Sequence, residues 1–348
     1  MRKVTIRPEI AHIEAYTPGE SLEAFSARTG RPVADLIKLN SNESPYPPSP
    51  RVAAALGSYV NFNRYPDGND HALLEALSQY IGVPANHIIT TCGSNDLITL
   101  LCRAFLAPGE TVVTSTPNYS FYATTVLAVG GNVIGVPRKD EFAIDVQAIL
   151  DAIQPDSKII ILCSPNNPTG NLVSRADVET LLATGCIVVI DEVYLEFAGD
   201  EAMADSFVHM VPSHDNLVVL RSFSKWAGLA GLRSGFGICP LWLLPSLRKL
   251  QLPFAVNLAA QIASRETLAD LPLMRQRIAE VVAQRERLWD MCQRYSFLHA
   301  FPSRGNFLLL ELTDERYSIA QFREQMEAHN ILLRYFSSPD LSRHVRIT

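Results

Sequence analysis

The chain has 348 residues, 47% apolar and 19% charged, and its 30 basic and 36 acidic residues give a net charge of −6. That length suits one large domain with a smaller companion. The acidic balance argues against a general nucleic-acid binder, which needs a basic stripe, and no apolar run reaches the ~18 residues of a membrane span.

The N-terminal "MRKVTIRPEIAHIE" lacks the apolar core of a signal peptide. Six cysteines, at 92, 102, 163, 186, 239 and 292, show neither a CxxC pair nor zinc spacing. Buried free thiols in a reducing cytoplasm are therefore expected, and with them no metal. Residues 1–45 read as an irregular arm ending in "NSNESPYPPSP", whose prolines favour an extended crossing. After "RYPDGND" comes a helical pattern, "HALLEALSQYI".

Strands and helices then alternate. "HIITTC", "ETVVTST", "KIIILCSP", "CIVVIDEV" and "NLVVLRSFS" read as strands. "NDLITLLCRAFL", "SFYATTVLAVG" and "RADVETLLAT" read as helices between them. Short, continuous, β-branched strands indicate a largely parallel sheet covered by helices on both faces, so an α/β domain is expected over 46–240. From 241 the pattern changes to a long charged helix (about 270 to 295), the strand "NFLLLEL", the helix "SIAQFREQMEAHN", and the strand-like pieces "ILLRYF" and "HVRIT". This is expected to be a smaller α+β domain, 241–348.

In such sheets ligands bind at the carboxyl ends of the strands. Five consecutive strand ends carry polar clusters: "GSND" (93–96), "TPNYSFY" (116–122), "SPNNPTG" (164–170), "DEVY" (191–194) and "SFSK" (222–225). A lysine at a strand end is ordinarily a solvated surface residue. Lys225, however, sits between serines and a run of glycines, where it can be desolvated, lose basicity and form a Schiff base with an aldehyde. The P-loop pattern GxxxxGK[ST] is absent, and "GLAGLRSGFG" does not supply the dinucleotide fingerprint. Asp191 emerges from a buried strand and is either a helix cap or the partner of a buried cation such as a protonated ring nitrogen. Asn167 lies in a turn, from which its amide could donate to a phenolate oxygen. The backbone N–H groups around Gly93, Ser94 and Asn95 open a helix, either as a plain cap or as an anion site.

These stretches, in this order, resemble the fold-type I pyridoxal-phosphate aminotransferases, and within them the histidinol-phosphate aminotransferase group. The resemblance runs through "YTPGE", "LNSNESPYPPSP", "RYPDG", "CGSND", "PNYSFY", "SPNNPTGN", "VVIDEVYLEF", "SFSKWAGLAGLRSGFG", "GNFLLLEL" and "ILLRYF…HVRIT". It implies pyridoxal 5'-phosphate as cofactor, with Lys225 holding it covalently and shuttling the proton. Asp191 would pair with the ring nitrogen, Tyr194 and Asn167 would bond the phenolic oxygen, and Tyr119 would stack on the ring. Ser222, Ser224, Arg233, Ser94 and Asn95 would grip the phosphate. Tyr65 would reach the cofactor of a second subunit, which implies a homodimer. Tyr16, Arg334 and Arg346 would hold the anionic group of the substrate.

The implied reaction is histidinol-phosphate:2-oxoglutarate transamination, a step of histidine biosynthesis. An aromatic amino acid aminotransferase and a threonine-phosphate decarboxylase share much of the pattern, and a cofactor-binding regulator is the non-enzyme alternative. Three positions depart from the family. Asn95-Asp96 stands where relatives often carry Asp-Glu, Ala15 stands where Pro is usual, and the family continues past "HVRIT" with a further turn and helix that the small domain is expected to lack.

Overall fold

The computed structural model describes residues 4–11 and 13–348. Its strands are β1 (Ile37–Leu39), β2 (Ile88–Thr91), β3 (Thr111–Thr116), β4 (Asn132–Pro137), β5 (Ser157–Cys163), β6 (Ile187–Asp191), β7 (Leu217–Ser222), β8 (Gly235–Ile238), β9 (Leu298–Ala300), β10 (Leu308–Leu312), β11 (Ile331–Tyr335) and β12 (His344–Ile347). They form a seven-stranded sheet of order β2-β8-β7-β6-β5-β3-β4 and a five-stranded sheet of order β1-β11-β12-β10-β9. The larger sheet is parallel from β4 to β7. β8 runs antiparallel between β7 and β2. A mostly parallel sheet with helices on both faces is the architecture that the resemblance to the fold-type I aminotransferases implies.

Alternating residues of each central strand feed opposite faces, as the period of two requires. Ile160, Leu162, Val188 and Ile190 join one buried cluster with Leu73, Leu77 and Phe236. Ile159, Ile161, Val189 and Val218 join the other, with Leu97, Leu101 and Tyr122. Because both faces are covered, these strands are apolar throughout, and each fully buried Leu or Ile contributes about 1.5–3 kcal/mol. Parallel order also places the ends of β3, β5, β6 and β7 on one edge of the sheet, which is where the polar clusters lie.

β4, the helix Val146–Ala152 and β8 were not evident in the sequence. β8 looked like part of a glycine-rich turn, yet Gly235 and Gly237 are inside a strand. The glycines serve close packing there: a Cβ on Gly235 would sit 2.5 Å from the Ser94 amide nitrogen. The expected irregular arm also contains order. A helix, Leu22–Thr29, is capped by Ser21 and closed by Gly30 in the left-handed region. β1 pairs in parallel with β11. Arg28 bridges to Glu327 at 3.1 Å, tying this helix to Ile319–Ala328.

Helices Leu244–Leu250 and Leu258–Leu268 lie beyond residue 240 but pack on the large sheet. Leu243, Leu244 and Leu247 join one of its faces, and Ala263, Leu268 and Met274 the other. In the long helix Leu271–Cys292, Met274 belongs to the large core while Cys292 packs with Leu308, Leu310 and Val345 of the smaller sheet.

Candidate functional site

A cavity of about 960 Å³ opens at the carboxyl edge of the large sheet, between it and the small one. Lys225, Asp191, Tyr194, Asn167, Tyr119, Ser94, Asn95, Ser222, Ser224, Arg233, Tyr16, Arg334 and Arg346 all line it. Tyr65 does not. It is 81% exposed and stacks on Phe254 with ring centroids 4.4 Å apart, outside the cavity.

Asp191 is the last residue of β6 and is buried. Tyr122 donates its hydroxyl to Oδ2 at 2.7 Å, and the Val193 amide donates to Oδ1 at 3.2 Å. No cation forms an ion pair with it among the described residues, and burial pushes its carboxyl up to about 6. A cationic partner entering the cavity would stabilise the ionised form.

Lys225 follows β7 and reaches inward, with Nζ donating to the Ser41 carbonyl at 3.2 Å and lying 5.9 Å from the Tyr194 ring centroid. Burial, then the nearby Arg346 cation, lowers its amine to about 8. A tenth or so of it is the free base one pH unit below that value, which suits a nucleophile and proton carrier near neutral pH. Beside it the Tyr194 hydroxyl accepts from Asn42 Nδ2 at 3.0 Å, and burial raises its phenol far above the ordinary range, so it remains a donor.

One end of the cavity is an anion cradle. Helix Ser94–Phe105 starts after Gly93, which has φ 78° and offers no side-chain acceptor. The Asp96 amide donates to the Gly93 carbonyl at 3.2 Å, which leaves the Ser94 and Asn95 N–H groups to an outside acceptor, and the helix dipole favours an anion there. Arg233, itself at φ 60°, packs its guanidinium so closely on Gly93 that a Cβ there would lie 2.6 Å from Nη2. Ser222 Oγ donates to Ser224 Oγ at 3.0 Å, placing two hydroxyls on the same wall. The cradle is built from β7, β8 and the helix, which meet because Gly235 lacks a side chain.

The other end is a pair of arginines. Arg334 and Arg346 are directly paired in the antiparallel register of β11 and β12. Arg346 donates from Nη1 to Asn167 Oδ1 at 2.6 Å and from Nη2 to the Asn40 carbonyl at 2.9 Å. Its buried Nε has no partner among the described residues, and burial followed by Arg334 brings the guanidinium down to about 10. Arg334 donates to the Thr17 carbonyl at 3.1 Å. Near it Tyr16 stands edge-on to Tyr119, centroids 5.9 Å apart, and Tyr119 accepts from Asn95 Nδ2 at 3.2 Å. Two guanidinium groups beside an open space fit a phosphate or carboxylate, which each binds bidentately.

Several contributors were missed in the sequence. Tyr122 was visible in "TPNYSFY", where only Tyr119 received a role. Asn40, Ser41 and Asn42 were read only as part of an extended segment. Another buried guanidinium, Arg221, is paired with Glu192 at 3.1 Å and Glu196 at 2.8 Å. It clamps the segment after Asp191 to β7, next to Ser222. Charge alternating with apolar residues in "VVIDEVYLEF" was the available signal.

These residues fit pyridoxal phosphate: an amine for the aldehyde, a buried carboxylate without a cation, a buried phenol, and a cradle at Gly93 and Arg233 that excludes side chains. The comparisons agree. A family model described as "Aminotransferase class I and II" matches residues 34–348. The chain is similar to a histidinol-phosphate aminotransferase of Roseiflexus castenholzii, 40% identical over 99% of this chain and 93% of that one. It is similar to histidinol-phosphate aminotransferase 1, chloroplastic, of Arabidopsis thaliana, 36% identical over 99% of this chain and 81% of that one. The crystal structure of histidinol-phosphate aminotransferase from Sinorhizobium meliloti in complex with pyridoxal-5'-phosphate superposes with a TM-score of 0.87 at 25% identity, covering 100% of this chain and 93% of that one.

Proposed function

Because the chain belongs to the class I and II aminotransferase family, we propose that its reaction is the transfer of the amino group of histidinol phosphate to 2-oxoglutarate. The observation that carries this reading is the Arg334–Arg346 pair lining the same cavity as Lys225. One site must take a phosphate monoester in one half-reaction and a dicarboxylate in the other, and two adjacent guanidinium groups serve both. The relatives at 40% and 36% identity support that substrate.

Bound in the cavity, pyridoxal phosphate supplies an electron sink for the charge left at the substrate Cα. Lys225 would hold the cofactor through its amine and, when free, would carry the proton at Nζ from the substrate Cα to the cofactor's carbon, as base and then as acid. Asp191 would keep the ring nitrogen protonated. Tyr194 and Asn167 would donate to the phenolic oxygen, and Asn167 is itself held by Arg346. Ser94, Asn95, Ser222, Ser224 and Arg233 would hold the phosphate. Tyr119 would cover the ring, and Tyr16 would close the substrate side.

The reading includes a homodimer in which Tyr65 serves the second subunit. Its exposure supports this, as do the exposed Val60 and Phe62 just before it in sequence, Phe254 stacked on its ring, and the exposed Leu252 two residues before Phe254. It also includes a cytoplasmic location, supported by the free cysteines. No helix of the described residues is long and apolar enough to cross a membrane. We draw the arm as 1–45 and place the boundary between the cofactor domain and the small domain inside the helix Leu271–Cys292, between Met274 and Cys292. That is later than the expected 240, because the intervening helices pack on the large sheet.

The test is production of glutamate from 2-oxoglutarate with histidinol phosphate as donor. Activity that requires the phosphate, and fails with histidinol, supports the reading. Equal activity with histidinol removes the role given to the arginine pair.

A further inference from the structure

Tyr122 is fully buried, on the helix Phe121–Ala128 that follows β3. Its hydroxyl reaches across to β6 and donates to Asp191 Oδ2 at 2.7 Å. Its ring meets the Tyr119 ring edge-on, centroids 5.5 Å apart and planes at 84°. One side chain therefore touches both the carboxylate that would meet the cofactor's ring nitrogen and the aromatic that would cover its face. The second carboxylate oxygen is held by the Val193 amide. Together these bonds fix the carboxylate's rotamer while leaving each oxygen a further lone pair toward the cavity.

Resting on the aminotransferase reading above, we propose that Tyr122 is a positioning residue for the reaction: through its hydroxyl it holds Asp191 in the orientation, and in the charged form, that the cofactor's ring nitrogen requires. The titratable and charged groups that act on Asp191 are Tyr122, Cys163, Tyr119, Tyr194, Glu192 and Lys225. Of these, Tyr122 is the side chain that hydrogen-bonds the carboxylate, and it opposes the burial that favours the neutral acid. Burial also raises the Tyr122 phenol well above its ordinary value, so it stays a donor throughout the working range. A Cys163 thiol raised by burial stays neutral beside them. A hydrogen bond to a charged group of this kind moves the carboxylate's midpoint by about one to two pH units.

The experiment uses the holoenzyme of Tyr122→Phe, which keeps the ring against Tyr119 and removes only the hydroxyl. With cofactor labelled by nitrogen-15 in the ring, the resonance is expected to move toward that of neutral pyridine, because Asp191 without its donor is the stronger base and draws the shared proton. kcat should fall about tenfold or more, with KM for the donor changed less than threefold. In an Asp191→Asn background, Tyr122→Phe should change kcat no further. An unmoved resonance, or additive losses in the double variant, overturns the proposal. The unsubstituted holoenzyme gives a measurement that needs no variant: a carbon-13 carboxyl signal for Asp191 should read as ionised from pH 6 to about 8. A neutral carboxyl there overturns it as well. These outcomes are separable from failure of the underlying reading, in which the unsubstituted protein would bind no pyridoxal phosphate at all.

Discussion

Asn42 donates its side-chain amide to the Tyr194 hydroxyl at 3.0 Å, joining the N-terminal segment to the residue that follows β6 by three positions. Asn42 is buried, has φ 50°, and its carbonyl accepts from Asn306 Nδ2 at 3.2 Å. The start of the extended crossing, residues 40–43, therefore lines the site rather than merely passing it. Asn42→Gly tolerates the left-handed backbone and removes only the amide. Cofactor dissociation from this variant, followed by loss of the visible band, should be about 3- to 10-fold faster than from the unsubstituted protein. Asn42→Ala should add about 1 kcal/mol of destabilisation from the backbone alone, read as a lower denaturant midpoint. Identical behaviour of the two variants would remove the backbone part of this explanation.

Lys225 must lose its proton to attack an aldehyde. Its amine is brought to about 8 by burial and Arg346. When cofactor-free protein is mixed with pyridoxal phosphate, the rate of band formation should rise about tenfold per pH unit below 8 and level off above it. Lys225→Ala should form no borohydride-stable link to the cofactor, checked by peptide mass, and should lose about 10²–10⁴ in kcat. A reducible link elsewhere on Lys225→Ala would reassign the lysine.

Asp191 gives a stability prediction with a definite sign. In the cofactor-free fold its carboxyl is raised from 3.8 to about 6, so the folded state binds more protons than the unfolded state between those values. Its contribution to stability is complete below about 4 and is lost as the pH rises through about 6. Asp191→Asn should therefore stabilise cofactor-free protein at pH 7.5 by roughly 1–3 kcal/mol and give no such gain at pH 4, while cofactor retention weakens. Denaturant melts at the two pH values decide this.

The two arginines separate by their contacts. The Arg334 side chain donates to the Thr17 carbonyl, whereas Arg346 donates to the Asn40 carbonyl and to Asn167. Arg334→Ala should raise KM for a phosphorylated donor about 10- to 100-fold and alter cofactor affinity less than threefold. Arg346→Ala should weaken both, because Asn167 loses its partner. Equal effects of Arg334→Ala on donor and cofactor would sink its placement at the substrate.

Strand-end chemistry is legible because a parallel sheet gathers its carboxyl ends on one edge, so Asp191, Asn167, Ser222 and Lys225 group together from the sequence alone. Motif resemblance extended this to the arginine pair. Residues acting through another side chain were not legible. Tyr122 and Asn42 have no spacing that marks them, since their partners lie 69 and 152 positions away. β8 was hidden because glycine, a poor strand former, is there to let Ser94 approach. The early helix Leu22–Thr29 was hidden because its apolar face is a single buried residue, Phe25.

The most direct test is a single-turnover race. Holoenzyme is mixed in separate shots with histidinol phosphate, phenylalanine and O-phosphothreonine, and conversion of the visible band is timed while released carbon dioxide is measured. Histidinol phosphate is predicted to convert the band at least about tenfold faster than either competitor, with no carbon dioxide from any of the three. Faster conversion by phenylalanine, or carbon dioxide from O-phosphothreonine, would contradict the proposed substrate, and no conversion by any donor would contradict transamination itself.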